Sequence, residues 1–500
     1  MAIRAKREPR LETRQLAFPH QAAAVEAIKN MEYAAIFHEQ GLGKTKIALD
    51  LAVSWLSGGS VDSVLVVTKR TLIENWRKEI RFHTYMSPVV LSQDKRQNFY
   101  AFNSPARLYL AHYEVCKTEL KRLLLFLETR KVGVILDESH KIKNPDTDVT
   151  KALLKMSGGF VRRVIMTGTP VANRPFDLWA QIKFLDGGLA LGGSFAEFRS
   201  ATDLSYKLAL DDDRRSAFET TLSDVQGKIV AFSVRETKKS SGISLPGKQI
   251  QNVTVELEPR QEELYQALKN ELRVSVEREG VVKEENVEEI LKRLVRLVQV
   301  ASNPRLVDHG YDLTPGKLPH LLLLLDAAVD SGDKAIVWTN FIDNAEWLVG
   351  ELDRRYPSVV VHGKRAIVDR NRALSQFMDN PSIKVLVATP GAAKEGLTLT
   401  AANHAVFFDR SFSLDDYLQA QDRIHRISQT KECFITNLVG KNTVDEWVDA
   451  LLAAKHLAAG LAQGDIELPE YRDRASYSFS LILDEVLGRR STLSIERSPH

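Results

Sequence analysis

Short runs of consecutive apolar, mostly β-branched residues recur along this chain, separated by stretches in which apolar positions return every three or four residues. In the first half these runs are Ala34–Phe37, Val64–Val67, Leu108–Leu110, Val132–Leu136 and Val164–Met166. In the second half they are Ala335–Trp338, Val359–Val361, Val385–Ala388, Ala405–Phe408 and Phe434–Leu438. Continuous apolar runs, rather than alternating ones, mark strands covered on both faces, and the intervening helical periodicity supplies the cover. The pattern predicts an α/β protein with two parallel-sheet lobes, right-handed crossovers, and ligand sites at the carboxyl ends of the strands. Residues 175–230 and 256–300 read mainly as helix, giving helical insertions between the lobes. Lys238–Lys248 (KKSSGISLPGK) fits neither period and reads as a linker or exposed loop. The expected organisation is lobe one over 1–240, a linker and helical segment over 241–315, lobe two over 316–465, and a loosely held tail over 466–500.

Composition narrows the class without naming a chemistry. The 500 residues suit two or three domains, and 44% hydrophobic with 27% charged residues is the balance of a globular protein with a sizeable core. Net charge is only +3, from 68 Lys+Arg against 65 Asp+Glu, so any grip on phosphates must come from a local groove. Two cysteines, Cys116 and Cys433, exclude a disulfide scaffold and a thiolate-rich zinc site. The basic start of the chain lacks the apolar stretch of a signal peptide, and no window approaches a membrane span. The expectation is an intracellular protein, cytoplasmic in a prokaryotic or viral host cell or nuclear in a eukaryote, without zinc or membrane.

Three clusters carry chemistry. His38-Glu-Gln-Gly41-Leu-Gly43-Lys44-Thr45 follows one strand run and opens a helical pattern, the strand–loop–helix setting of a phosphate-binding loop. Gly41 and Gly43 let backbone N–H groups wrap phosphate oxygens, Lys44 reaches the β- and γ-phosphates, and Thr45 ligates Mg²⁺. One position departs from the full pattern, because its first glycine falls on His38. A glycine-rich turn with a surface lysine has the same local composition. Asp137-Glu138 lies at the tip of the run Val132–Leu136. An aspartate there can hold Mg²⁺ or its water shell, and the adjacent glutamate can orient and deprotonate an attacking water. Alone the pair could cap a helix; following a phosphate loop it reads as a Walker B pair, and ATP hydrolysis with Mg²⁺ is the expected chemistry. Gln419–Gln429 reads as a helix start carrying Arg423 and Arg426, three apart and so on one face. Such a pair at the edge of a second sheet can neutralise γ-phosphate charge from the opposite lobe, although an exposed arginine pair looks the same in isolation.

These motifs, in this order and over roughly residues 14 to 455, resemble the SWI/SNF-type (Snf-two) ATPases of helicase superfamily two, which implies that both lobes are RecA-like. Gln21 in Leu16–Gln21 is similar to the adenine contact of the Q motif, and Gln419 opens a segment similar to motif VI. The resemblance implies DNA contacts at Lys69 and Arg70 in the motif Ia segment Val66–Trp76. It places others at His112 and Tyr113, at Thr167 in motif III, at Asn340 in motif IV, and at Lys394 and Thr398 around motif V. Asp137–Asn144 matches the extended motif II closely. Departures occur at His38–Gln40, at Ala393-Lys394 where a glycine pair is usual, and at Ser428. The implied function is ATP-dependent movement of a monomer along double-stranded DNA, with DNA-bound proteins as further partners. A strand-separating helicase of the same superfamily, or a nucleotide-binding switch or scaffold, stands as the alternative.

Overall fold

A computed structural model describes residues 10–204, 208, 211–242, 245–279, 287–393, 398–426 and 428–477. Lys394 and the tail beyond residue 477 lie outside the described residues. The chain divides into two compact units, the first formed by residues 1–203, 217–243 and 458–470, the second by 204–216, 244–457 and 471–500.

The first unit is built on seven strands, β1 (Tyr33–Ile36), β2 (Ser63–Thr68), β3 (Val89–Leu91), β4 (Leu108–His112), β5 (Val132–Asp137), β6 (Arg162–Met166) and β7 (Ser233–Val234). Their order is β3-β4-β2-β5-β6-β1-β7, and every pairing is parallel. All residues of β2, β4 and β5 are buried, which is why those strands read as unbroken apolar runs. Helix Lys44–Ser57 lays Ile47, Leu51 and Trp55 onto a core shared with Ala34, Ile36, Val64, Val66 and Ile135. β5 therefore ends in the middle of the sheet, and its last residue, Asp137, is delivered to the carboxyl edge beside the loop that follows β1.

The second unit has six parallel strands, β8 (Lys248–Val255), β9 (Ala335–Trp338), β10 (Ser358–Val361), β11 (Val385–Ala388), β12 (His404–Phe407) and β13 (Cys433–Gly440). Their order is β10-β11-β9-β12-β13-β8. The two-residue period of a strand sends Ala335 and Val337 to one core, with Leu321, Leu325 and Leu348. Ile336 and Trp338 enter the other, with Phe377, Phe407 and Ile435. Among the described residues no helix is long and apolar enough to cross a membrane.

Three strands have no counterpart in the apolar pattern. β3 and β7 are three and two residues long. β8 is an edge strand of sequence KQIQNVTV, exposed along most of its length, and it lies within the span read as linker. Its register comes from pairing with β13, Lys248 opposite Cys433 through Val255 opposite Gly440. Side-chain amides reinforce it: Gln251 Nε2 donates to Thr436 Oγ1 (3.1 Å) and Asn437 Nδ2 to Asn252 Oδ1 (2.8 Å). A polar edge deters pairing with other chains, at the cost of the apolar signal that would reveal it.

Candidate nucleotide-binding site

The loop between β1 and its following helix is held on both sides. Phe37 N donates to Val234 O (2.9 Å) and Glu39 N to Glu236 O (2.8 Å), extending the ladder past the end of β7. The Glu39 carboxylate receives Lys238 N at 2.8 Å and pairs with Lys238 Nζ at 3.4 Å. Arg235 Nη1 donates to Phe37 O (2.7 Å) while its Nε and Nη2 grip the carboxylate of Asp465. Beyond this anchored half the chain turns through Gly41 (φ 89°) and Gly43 (φ 75°), both left-handed. A Cβ on Gly43 would also lie 2.2 Å from Gln21 Nε2, so conformation and space both require glycine. The helix then starts at Lys44, and the N-terminus of a helix favours an anion. Lys44 Nζ rests on His38 O (2.9 Å) and Glu39 O (3.2 Å), and Thr45 follows, half-buried.

Gln21 is buried and spans the loop from the other side. Its Oε1 accepts from Phe18 N (3.1 Å) and its Nε2 donates to Leu42 O (3.2 Å). In this structure Gln21 links the start of its own helix to the phosphate loop, its Oε1 on Phe18 N and its Nε2 on Leu42 O.

Asp137 is buried at the end of β5, and one of its carboxylate oxygens is doubly held. Thr68 Oγ1 and Trp76 Nε1 each donate to Oδ2 at 2.8 Å, and Tyr113 OH donates to its backbone O at 2.7 Å. Oδ1 takes no hydrogen bond among the described residues and is the oxygen left for a cation. Burial first, and the neighbouring Glu138 charge second, push the Asp137 carboxyl up to about 6, against the pull of Trp76, Thr68 and the Lys44 ammonium. Glu138 adopts a left-handed backbone (φ 53°, ψ 49°), a conformation that costs a non-glycine residue on the order of 1 kcal/mol. Its Oε2 stands 3.2 Å from His140 Nδ1 and 4.0 Å from Lys69 Nζ. Thr167 Oγ1 is within 3.3 Å of His140 Nδ1. A Cβ on the next residue, Gly168, would lie 2.5 Å from Gln40 Cγ and 3.2 Å from Lys44 Nζ, so this turn packs directly on the phosphate loop. The structure thus brings Gln21, Gly41, Gly43, Lys44, Asp137 and Glu138 into one unit around one loop. The hard oxygens of Thr45 and Asp137, with phosphate oxygens, fit the donor set Mg²⁺ takes. Among the described residues there is no cluster of three or more His, Cys, Asp or Glu that could hold a metal by itself.

Arg423, Arg426 and Gln419 belong to the second unit. The expected helix over the arginines is corrected: helix Leu414–Gln421 ends before them, and both sit in the turn that follows. The turn forms because Arg423 N and Ile424 N take i−3 carbonyls, and Gln429 Nε2 ties Ala402 O (2.9 Å) to Ile424 O (3.0 Å). Arg423 is buried, and Arg426 Nη1 donates to Thr398 Oγ1 (3.0 Å). Gln419 is buried too, its amide donating to Asp415 Oδ1 (2.6 Å).

Of the residues expected at a nucleic-acid face, Arg70 and Thr398 are exposed and Lys69 is half-buried. His112, Tyr113 and Thr167 are buried. The Tyr113 hydroxyl is engaged with Asp137 O and Thr167 with His140, so both support the acidic strand end. Asn340 donates from N (2.7 Å) and Nδ2 (2.9 Å) to Asp409 Oδ1. Asp409 is a residue the motifs do not single out. It is buried, and its Oδ2 also accepts from Thr339 Oγ1 (2.5 Å) and Ser302 Oγ (2.8 Å). Trp76 likewise enters the sequence reading only as part of a motif; a buried indole amid charged residues is its one local signal.

Residues 20–306 match the SNF2-related domain and residues 316–428 the helicase conserved C-terminal domain. The uncharacterized ATP-dependent helicase MG018 of Mycoplasma genitalium is 25% identical over 85% of this chain and 40% of its own length. The putative ATP-dependent helicase/translocase YwqA of Bacillus subtilis is 26% identical over 84% and 45%. The DNA repair and recombination protein RAD54-like of Danio rerio is 27% identical over 86% and 64%. The chain therefore spans less than half the length of the first two of these relatives. The SWI2/SNF2 ATPase core of Sulfolobus solfataricus, solved in complex with dsDNA, aligns over 94% of this chain and 98% of its own at 25% identity, with a TM-score of 0.41. Because the first of the matched domains alone covers more than half of its residues, the chain belongs to the SNF2-related domain family, an ATP-hydrolysing enzyme whose SNF2-related and helicase C-terminal domains stand on two parallel sheets.

Proposed function

We propose that this chain couples ATP hydrolysis to sequence-independent translocation along double-stranded DNA. The observation that carries the reading is the unit-one constellation: a glycine-turned loop with Lys44 at a helix N-terminus, next to a buried strand end bearing Asp137 and Glu138. Lys44 and the loop amides bind the phosphates. Thr45 and Asp137 would hold Mg²⁺, which would supply neutralisation of phosphate charge. Glu138 orients the attacking water and accepts its proton. Arg423 and Arg426 of the second unit compensate transition-state charge, so that hydrolysis and the state of the two lobes are linked. Lys69, Arg70 and Thr398 grip the DNA backbone, contacts that carry position but no base sequence. Relatives named for helicase/translocase activity and for DNA repair and recombination support the DNA substrate.

The test is ATPase rate with no nucleic acid and with single-stranded, duplex and forked DNA and RNA, using Glu138→Gln as the hydrolysis-dead control. Duplex DNA is expected to stimulate turnover about tenfold or more, with RNA near the basal rate. Equal stimulation by RNA, or none by any nucleic acid, would overturn the substrate assignment.

A further inference from the structure

Thr68 and Trp76 stand at the two ends of one short segment, and both donate to the same atom, Asp137 Oδ2, each at 2.8 Å. Thr68 closes β2, whose register sets Val67 opposite Leu136 and so brings Thr68 beside the end of β5. Trp76 lies in the first turn of helix Ile73–His83 and is 1% exposed. Only Trp76 and Ile80 of that helix are buried, so the indole is one of its two anchors on the sheet. A buried indole N–H needs an acceptor, and here the acceptor is a carboxylate, which makes the bond a charge-assisted one.

Between these two pins the chain turns outward. Arg70–Leu72 forms a single 3-10 turn, with Leu72 N donating to Lys69 O (2.9 Å). Arg70 is exposed, and Lys69 Nζ stands 4.0 Å from Glu138 Oε2. Two of the cations assigned above to the DNA backbone therefore sit on a segment that begins and ends on Asp137 and passes Glu138 in its middle, all within the first unit. Close packing lets a fixed segment shift its middle only by loading its ends. The Thr68 end belongs to a strand paired on both sides, with β4 and with β5. A pull at Arg70 is taken up at the other end, by the helix and its Trp76.

We propose that Trp76 is a positioning residue that transmits DNA contact at Lys69 and Arg70 to the hydrolytic strand end, its indole N–H fixing the Asp137 carboxylate. The inference rests on the DNA-motor reading above and adds to it the connection through which duplex raises turnover. Coupling between two sites is typically worth about 5- to 150-fold, a range that includes the stimulation expected here.

The test is ATP turnover, with and without saturating duplex DNA, by the full chain with Trp76 replaced by benzothienylalanine. In that analogue a sulfur takes the place of the indole N–H while the size and shape of the ring are kept, so the fold is preserved. Duplex is expected to stimulate the unaltered protein about tenfold and the analogue about twofold at most, from a lowered basal rate. Affinity for duplex without nucleotide should stay within about twofold of the unaltered chain, and Trp76→Phe should behave as the analogue does. Arg70→Ala should reduce stimulation in the unaltered chain and reduce it no further in the analogue, because its effect passes through the same bond. A ratio of stimulated to basal rate that survives loss of the N–H overturns the proposal, however far both rates fall, since Trp76 is then a packing residue. Additive effects of the two substitutions, or weakened duplex binding by the analogue, overturn it as well. No duplex stimulation of the unaltered protein would instead sink the DNA-motor reading, and this inference with it.

Discussion

Asp137→Asn is expected to reduce ATP hydrolysis on the order of a thousandfold while making the nucleotide-free protein more stable at neutral pH. The loss of activity follows from removing the charge that the proposed function assigns to Mg²⁺ binding. The gain in stability follows from the site's electrostatics. Burial and the adjacent Glu138 hold the Asp137 carboxyl at about 6, above its ordinary 3.8, so ionising it in the folded state costs about 2–3 kcal/mol at neutral pH. Asparagine keeps an oxygen for Thr68 and Trp76 without the charge. A carboxyl raised in the fold favours the native state in its protonated form, so the wild-type chain recovers stability as pH falls through about 6. Thermal midpoints of both proteins at about pH 7.5 and about pH 5 check this: the advantage of the variant should be largest at the higher pH and narrow by about half at the lower. An asparagine variant less stable than wild type at neutral pH would contradict a buried, uncompensated carboxylate.

The second large effect is structural. Asp409→Ala should destabilise the second unit by about 4 kcal/mol, because it strands several buried donors at once. Thr339 Oγ1, Ser302 Oγ, Asn340 N and Nδ2, and Asn344 Nδ2 (3.4 Å) all converge on that carboxylate. It ties the end of the helix Val287–Ser302 to the turn after β9. Asp409→Asn preserves the shape and one acceptor, and should cost about half as much. Chemical denaturation of the two variants gives the comparison, and a loss below about 1 kcal/mol for alanine would show that the donors find other partners or water.

Among the described residues, ten of the thirteen strands were legible as apolar runs because parallel strands buried on both faces are mostly apolar. β8 was not, since an edge strand with polar side chains carries its pairing in the backbone, and its partner β13 lies far along the chain. The phosphate loop was legible because its geometry restricts Gly41 and Gly43 to one residue type. Roles that depend on distant residues meeting were not. Trp76 donates to a carboxylate 61 positions away, and Tyr113 supports Asp137 from 24 positions away, pairings that only the completed sheet creates. Arg423 and Arg426 have helical spacing, yet the helix ends at Gln421 and the backbone turns to i−3 hydrogen bonds at Arg423 and Ile424. Spacing records which residues could share a face; it does not record what holds the backbone out of a helix.

The central claim is that hydrolysis at Lys44, Asp137 and Glu138 drives motion along duplex DNA. The most direct measurement is displacement of a triplex-forming third strand from a duplex by the chain, with ATP, with ADP, and with Glu138→Gln. The account predicts ATP-dependent displacement that requires flanking duplex and is absent in the variant, without separation of the duplex itself. No displacement despite duplex-stimulated ATP hydrolysis, or efficient unwinding of a forked duplex, would contradict it.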